Sequence, residues 1–217
     1  MHEWTDSVRD EADVREVVES VRVFEGRVWS VRTDTVDLGD DQTVVRDLVE
    51  HPGAVGVIAL DEQDRVLLVR QYRHPVRSTL WEPPAGLMDV DGEDPLLTAQ
   101  RELFEEAHLQ ATDWRVLVDY FNSPGGTSEA FRCYLARGVR GYDGDRHAGS
   151  GEERDMPYAW VPLDDAVAMV LDGRLHNPTA VCGVLAASAA RATGFENLRA
   201  ADAPWPERER VRPDHAS

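Results

Sequence analysis

The sequence predicts an α/β (α+β) protein in which a mixed domain of strands and helices carries a small β annex at its N-terminus. Three observations point there. Stretches that alternate apolar and polar residues, "SVRVFEGRVWSVRTDTVDL" and "TVVRDLVEH", fill residues 20–38 and 43–51. Near-continuous apolar runs, "GAVGVIAL" and "RVLLVRQYR", follow at residues 53–60 and 65–73. One strongly signalled helix starts at Asp94-Pro95, and two more close the chain.

In chain order, "ADVREVVESV" reads as helical. The next stretch is a hairpin turning at Gly26, and "TVVRDLVEH" adds a strand. The two apolar runs, joined by the turn "DEQD", read as a buried hairpin. Strands follow at "WRVLVDYF" and "AFRCYLARG", then an acidic loop "YDGDRHAGSGEERDM" and the short strand "YAWVPL". Helices at "LDDAVAMVLDG" and "TAVCGVLAASAARAT" lead to a tail rich in Pro and Arg that reads as irregular. The expected divisions are an annex at 1–50, a main domain at 51–195 and the tail at 196–217.

With 217 residues and 42% hydrophobic content, the chain can bury one core of ordinary size. No apolar run reaches membrane-spanning length, so no membrane partner is expected. The acidic N-terminus does not read as a secretory signal. Two cysteines, Cys133 and Cys182, are too few for a disulfide scaffold, which fits a reducing cytoplasm. The net charge of −18 argues against nucleic acid as a partner, since such binding needs a positive surface to displace counterions. An anionic small substrate would be repelled at long range unless a divalent metal offset the field locally.

Residues 81–109, "WEPPAGLMDVDGEDPLLTAQRELFEEAHL", concentrate eight acidic side chains. Asp94 then Pro95 is a helix-start signal, a capping carboxylate followed by a residue pre-set for the first helical position. Leu96, Ala99, Leu103 and Ala107 recur at helical spacing, so one face is core. Glu102, Glu105 and Glu106 lie on the other side, with Glu102 and Glu106 nearly stacked and Arg101 placed to pair with Glu105. Taken alone, this is a solvated acidic face. The Gly- and Pro-rich loop before the helix favours a Mg²⁺ site, because hard cations take carboxylate and carbonyl oxygens.

The segment resembles the signature box of the Nudix hydrolases, matched at Gly86, Glu93, Arg101, Glu102, Leu103, Glu105, Glu106 and Leu109. There are two departures. The loop from Gly86 to Glu93 is one residue longer than the commonest pattern. His108 also stands where the family has a helix-ending Gly, a position expected to be left-handed. The resemblance implies a mixed β-sheet sandwiched between α-helices and hydrolysis of a nucleoside diphosphate linked to another group. It further implies Mg²⁺ (or Mn²⁺) held by Glu102, Glu106 and the carbonyl of Ala85. Glu105 and Glu93 would be auxiliary, and Arg101 would orient a carboxylate.

"FNSPGGTSE" places Pro124 fifteen residues after Leu109. Alone it is a turn. With the box, and with "RQYRHP" and "LWEPPAG", it resembles the ADP-ribose pyrophosphatase branch. That likeness implies a catalytic base on a flexible acidic loop, matched by "SGEERDM" with Glu153 first and Glu152 next. It implies that Arg73 binds the diphosphate and Glu82 supports the metal loop. Pro124 and Gly125 fall in the substrate loop, while Trp29, Arg46 and Glu129 match adenosine contacts. A 50-residue annex has too little apolar content to bury a core alone. In the resembled branch it packs on a partner subunit, so a homodimer with shared active sites is expected. The alternatives are hydrolysis of another nucleoside diphosphate sugar or of NADH, and a non-catalytic domain that senses ADP-ribose.

Overall fold

Each strand at the centre of the fold buries both of its faces, and this fixes where the helices go. In a computed structural model, which describes residues 8–90, 92–142 and 156–211, strand β4 (Ala54–Ala59) is buried at every position. Side chains alternate across a strand. Ala54 and Ile58 therefore enter one apolar cluster, and Val55, Val57 and Ala59 enter another. Strand β10 (Ala130–Arg137) divides likewise, with Phe131, Cys133 and Leu135 against Ala130, Tyr134 and Ala136. The first cluster is closed by helices α2 (Leu163–Leu171) and α3 (Pro178–Arg191) through Leu163, Ala166, Val184 and Ala187. The second is closed by α1 (Pro95–Ala107) through Ala99 and Leu103.

The sheet between these layers is mixed, in the order β13-β9-β10-β4-β7, where β7 is Ala85–Leu87, β9 is Asp113–Phe121 and β13 is Arg199–Ala200. Strands β4 and β10 run parallel and the other pairs antiparallel. A second, antiparallel sheet joins β12 (Tyr158–Pro162), β5 (Arg65–Arg73) and β6 (Ser78–Glu82). The short strands β8 (Leu109–Gln110) and β11 (Arg140–Gly141) pair beside them. This is the α+β architecture expected, with helices on both faces of a mixed sheet.

The chain separates into two units, Met1–Glu50 and His51–Ser217. The first is an antiparallel meander of β1 (Val17–Glu25), β2 (Ser30–Gly39) and β3 (Gln42–Glu50). Its buried side chains are polar. Glu50 accepts from Ser30 Oγ (2.5 Å) and Arg32 Nη1 (2.9 Å), while Asp34 accepts from Ser20 Oγ (2.6 Å) and Arg32 Nε (3.1 Å). Val17, Val18, Val21, Val23, Phe24 and Val45 stay exposed.

Three expectations are corrected. The helix read in "ADVREVVESV" gives way to β1, which begins at Val17. Its β-branched valines are stiff at χ1, and the strand gains a ladder against β2 that is bulged near Val18 and Val23. The apolar runs do not form a hairpin: β4 pairs with β10 and β7, β5 pairs with β6 and β12, and only an isolated Leu60–Val66 bridge joins them. The tail read as irregular carries β13 and a short helix α4 (Pro206–Val211), and it buries Trp205 and Arg208. The buried Arg132 guanidinium recruits that tail. It pairs with Asp119 (2.9 Å), donates to the carbonyls of Ala203 (2.7 Å) and Pro204 (3.1 Å), and lies 4.7 Å from the Trp205 ring. Among the described residues, no helix is long and apolar enough to cross a membrane.

Candidate active site

Helix α1 is capped as its sequence demands. Asp94 takes an extended conformation and its side chain accepts from the Leu96 amide (2.8 Å), with Pro95 at the first helical position. At the other end His108 is left-handed, φ 54° and ψ 37°, and its amide donates back to Phe104 (2.8 Å). The imidazole lies edge-on to the Phe104 ring at 5.9 Å, which helps hold a non-glycine residue in this conformation.

Between the caps, the acidic side of α1 is not a solvated face. Arg101 gathers it: Nη1 donates to Glu102 (2.7 Å) and Glu105 (3.3 Å), and Nη2 donates to Glu93 (3.1 Å). Thr98 Oγ1 donates to the same Glu93 carboxylate (2.8 Å). The Arg101 fork, with Thr98, holds Glu93 below the usual carboxylate range against a smaller opposing effect of burial. Glu93 thus folds back onto the helix despite the longer loop before it.

Glu106 is different. It is half-buried beneath the loop, where its Oε2 accepts from the Ala85 amide (3.2 Å). Burial first, then the neighbouring Glu102 charge, push its pKa up to about 8; Glu82 adds to the shift, while the Ala85 amide and Arg73 oppose it. Gly86 faces Glu102 so closely that a Cβ there would collide with the carboxylate. Loop and helix can approach this far only because the residue is Gly.

Glu82, at the end of β6, is almost wholly buried. Arg73, at the end of β5, clasps it with Nη2 to Oε1 (2.5 Å) and Nε to Oε2 (3.2 Å). The Arg73 side chain remains 42% exposed, so its outer edge is open to a ligand. Asn177, the N-cap of α3, donates from Nδ2 to Glu82 Oε2 (2.6 Å). In the sequence it carries only a helix-cap signal, Asn177-Pro178, of the same kind as Asp94-Pro95.

The structure therefore places Arg73 and Glu82 at the ends of β5 and β6, Ala85 in β7, Glu93 just before α1, and Arg101, Glu102, Glu105 and Glu106 on α1. Pro124 and Gly125 are exposed on the turn between β9 and β10. Glu129, at the end of that turn, is pushed upward in pKa by burial and stands 3.9 Å from His51 Nε2. Trp29 and Arg46 belong to the first unit, both exposed, with Arg46 Nη1 donating to the Val45 carbonyl (3.0 Å). Glu152 and Glu153 lie outside the described residues.

Among the described residues, no three acidic, His or Cys side chains already converge as metal ligands. The donor set still suits a hard cation. Two half-buried carboxylates, Glu102 and Glu106, repel each other, and an added positive charge would relieve that repulsion.

A NUDIX domain model matches residues 50–181. An ADP-ribose pyrophosphatase of Mycobacterium tuberculosis is 43% identical over 193 residues, covering 89% of this chain and 92% of the relative. A methanol dehydrogenase activator of Bacillus methanolicus is 34% identical, covering 77% and 89% of the two chains. A crystal structure described as an ADP compounds hydrolase superposes with a TM-score of 0.68 at 19% identity, over 86% of this chain and 99% of that one, which is a likeness of fold. A family model spanning more than half the chain, over a box whose carboxylates surround one loop, establishes that this protein belongs to the Nudix family.

Proposed function

We propose that the protein hydrolyses the diphosphate of ADP-ribose, giving AMP and ribose 5-phosphate, with Mg²⁺ or Mn²⁺ as cofactor. The observation that carries this is the half-buried Glu106–Glu102 pair beneath the Gly86 loop, in a chain 43% identical to a protein named for that activity. Glu102, Glu106 and the Ala85 carbonyl would hold the cation, with Glu93 and Glu105 as auxiliary ligands. When bound, the cation supplies positive charge against the diphosphate and acidifies nearby water. The chain's own residues do the rest. Arg101 orients the carboxylates, the open edge of Arg73 grips the diphosphate, and Pro124 and Gly125 shape the substrate loop beside Glu129. Glu153, or Glu152 next to it, takes the proton of the attacking water as the bridging P–O bond breaks.

A second copy of the chain is part of the proposal. Among its described residues the first unit buries polar side chains and exposes several valines with Phe24 and Trp29, apolar groups suited to another subunit. Trp29 and Arg46 would then serve adenosine bound to the partner. The two free cysteines suit a reducing compartment, and we place the protein in the cytoplasm.

The test is incubation with ADP-ribose, UDP-glucose and NADH in Mg²⁺, counting phosphate monoesters released. ADP-ribose is expected to turn over fastest and to stop in excess EDTA. Undiminished turnover in EDTA, or preference for another diphosphate, overturns the reading.

A further inference from the structure

We propose that His51 and Glu129 together read one hydroxyl of the nucleoside ribose: the His51 Nε2–H donates to its oxygen and the Glu129 carboxylate accepts its hydrogen. The inference rests on the reading above that Glu129 belongs to the substrate site. His51, on the approach to β4, is buried, and its backbone amide donates to Ser128 Oγ in the substrate turn (2.9 Å). Its ring tautomer is fixed from the other side. Gly53 takes a positive φ of 90°, and its amide donates to His51 Nδ1 (3.1 Å). Nδ1 is therefore the acceptor, and the hydrogen of the neutral ring sits on Nε2. Nε2 stands 3.9 Å from Glu129 Oε1.

That separation is too long for a direct hydrogen bond. A charged ring would make it an ion pair, but burial pushes the His51 pKa down to about 4, so the ring is neutral near pH 7. The separation does suit a shared hydroxyl: an oxygen about 2.8 Å from both atoms makes an angle of roughly 90° between them. Such an oxygen accepts from Nε2 and donates to the carboxylate, the one sense of polarity that the tautomer allows. The backbone of Glu129 is fixed on both sides. Its amide donates to Thr127 Oγ1 (3.2 Å), and its carbonyl accepts from the Asn122 amide (2.9 Å) across the neck of the turn. Burial raises the Glu129 pKa against an opposing hydrogen bond from Asn122, so its charged form gains from a further donor. The Glu129 side chain is 18% exposed against 7% for His51, so the hydroxyl enters from the Glu129 side. A ribose hydroxyl both donates and accepts, whereas a deoxy position does neither.

Two substitutions separate the two ends of the ring. His51→Asn keeps an acceptor at the Nδ1 position for the Gly53 amide and has no donor at the Nε2 position; His51→Gln does the reverse. Calorimetric titrations in EDTA, where turnover stops, are run on the full chain, on these two variants and on Glu129→Ala. They compare ADP-ribose with its 2′-deoxy and 3′-deoxy forms, altered on the adenosine ribose. We expect the parent to bind one deoxy form about a hundredfold more weakly than ADP-ribose, the scale of two hydrogen bonds, one of them to a charged group. His51→Asn should melt near the parent yet keep only about tenfold of that preference, and Glu129→Ala should likewise lose most of it. His51→Gln should melt lower, because the Gly53 amide loses its acceptor, and still keep the preference. A histidine that served stability alone would not give this crossed pattern. A parent that binds both deoxy forms as tightly as ADP-ribose overturns the proposal. So does a parent-like preference in His51→Asn or Glu129→Ala, which would leave only a bound water between the pair. Should His51→Asn not fold, a folded His51→Gln that has lost the preference overturns it. A parent that binds UDP-glucose but not ADP-ribose overturns the substrate reading, and the deoxyuridine forms of that ligand then decide the pair. A parent that binds neither overturns both.

Discussion

Replacing Glu106 with Gln should make the metal-free protein more stable at pH 8.5 while abolishing its function. The carboxyl ordinarily titrates near 4.5 and here at about 8, because burial and Glu102 disfavour its charged form. The folded state therefore binds a proton that the unfolded state has released throughout pH 4.5–8. Stability is full below 4.5, falls as pH rises through that window, and is flat above it. At 1.36 kcal/mol per pH unit, the ceiling on this loss is roughly 5 kcal/mol, and on the order of 2–3 kcal/mol is expected after local relaxation. Gln is isosteric, never ionises, and keeps an oxygen for the Ala85 amide, so it removes the loss. Urea unfolding in EDTA at pH 5 and pH 8.5 measures it: parent and variant should nearly coincide at pH 5 and separate by that amount at pH 8.5. Adding Mg²⁺ should stabilise the parent, by RT ln(1 + [L]/Kd), and leave the variant unmoved. Equal stabilities at pH 8.5, or a variant that still responds to Mg²⁺, would refute the assignment of Glu106 as a half-buried ligand repelled by Glu102.

Gly86→Ala should fold, since the Glu102 side chain can swing aside, yet lose at least about a hundredfold in kcat because that carboxylate no longer faces the loop; steady-state kinetics beside a melting curve would show both. His108→Gly relieves a left-handed φ of 54° but loses the ring contact to Phe104, so its net change in unfolding free energy should be under about 1 kcal/mol. In a Phe104→Ala background the same change should stabilise, and a loss there would show that the imidazole has a further role. Arg132→Ala should cost about 2–4 kcal/mol, because it leaves Asp119 to Arg199 alone and takes the donor from two tail carbonyls. Proteolysis of the tail should rise with it, and an unchanged urea midpoint would contradict the account of the tail.

What the sequence determined by itself was whatever depends on neighbours a few residues apart. The Asp94-Pro95 cap, the apolar face of α1, the pairing of Arg101 with Glu105 and the left-handed His108 are all local, and each appears where the spacing places it. The strands β2, β3, β9, β10 and β12 were legible for the same reason. Tertiary structure decided which strand each strand would choose. Two apolar runs joined by a turn look like a hairpin, but β4 is buried on both faces and gains more between β10 and β7 than beside β5. Valines in "ADVREVVESV" suit helix or strand by local pattern, and pairing with β2 settled the matter. Only the fold could turn Glu106 inward to a pKa of about 8, or set Asn177 against Glu82 across 95 residues of chain. Nor could any local signal show that Arg132, once buried, would require the carbonyls of the tail. Burial and long-range partnership are properties of surfaces that meet only after folding, and no window of sequence contains both sides of such a contact.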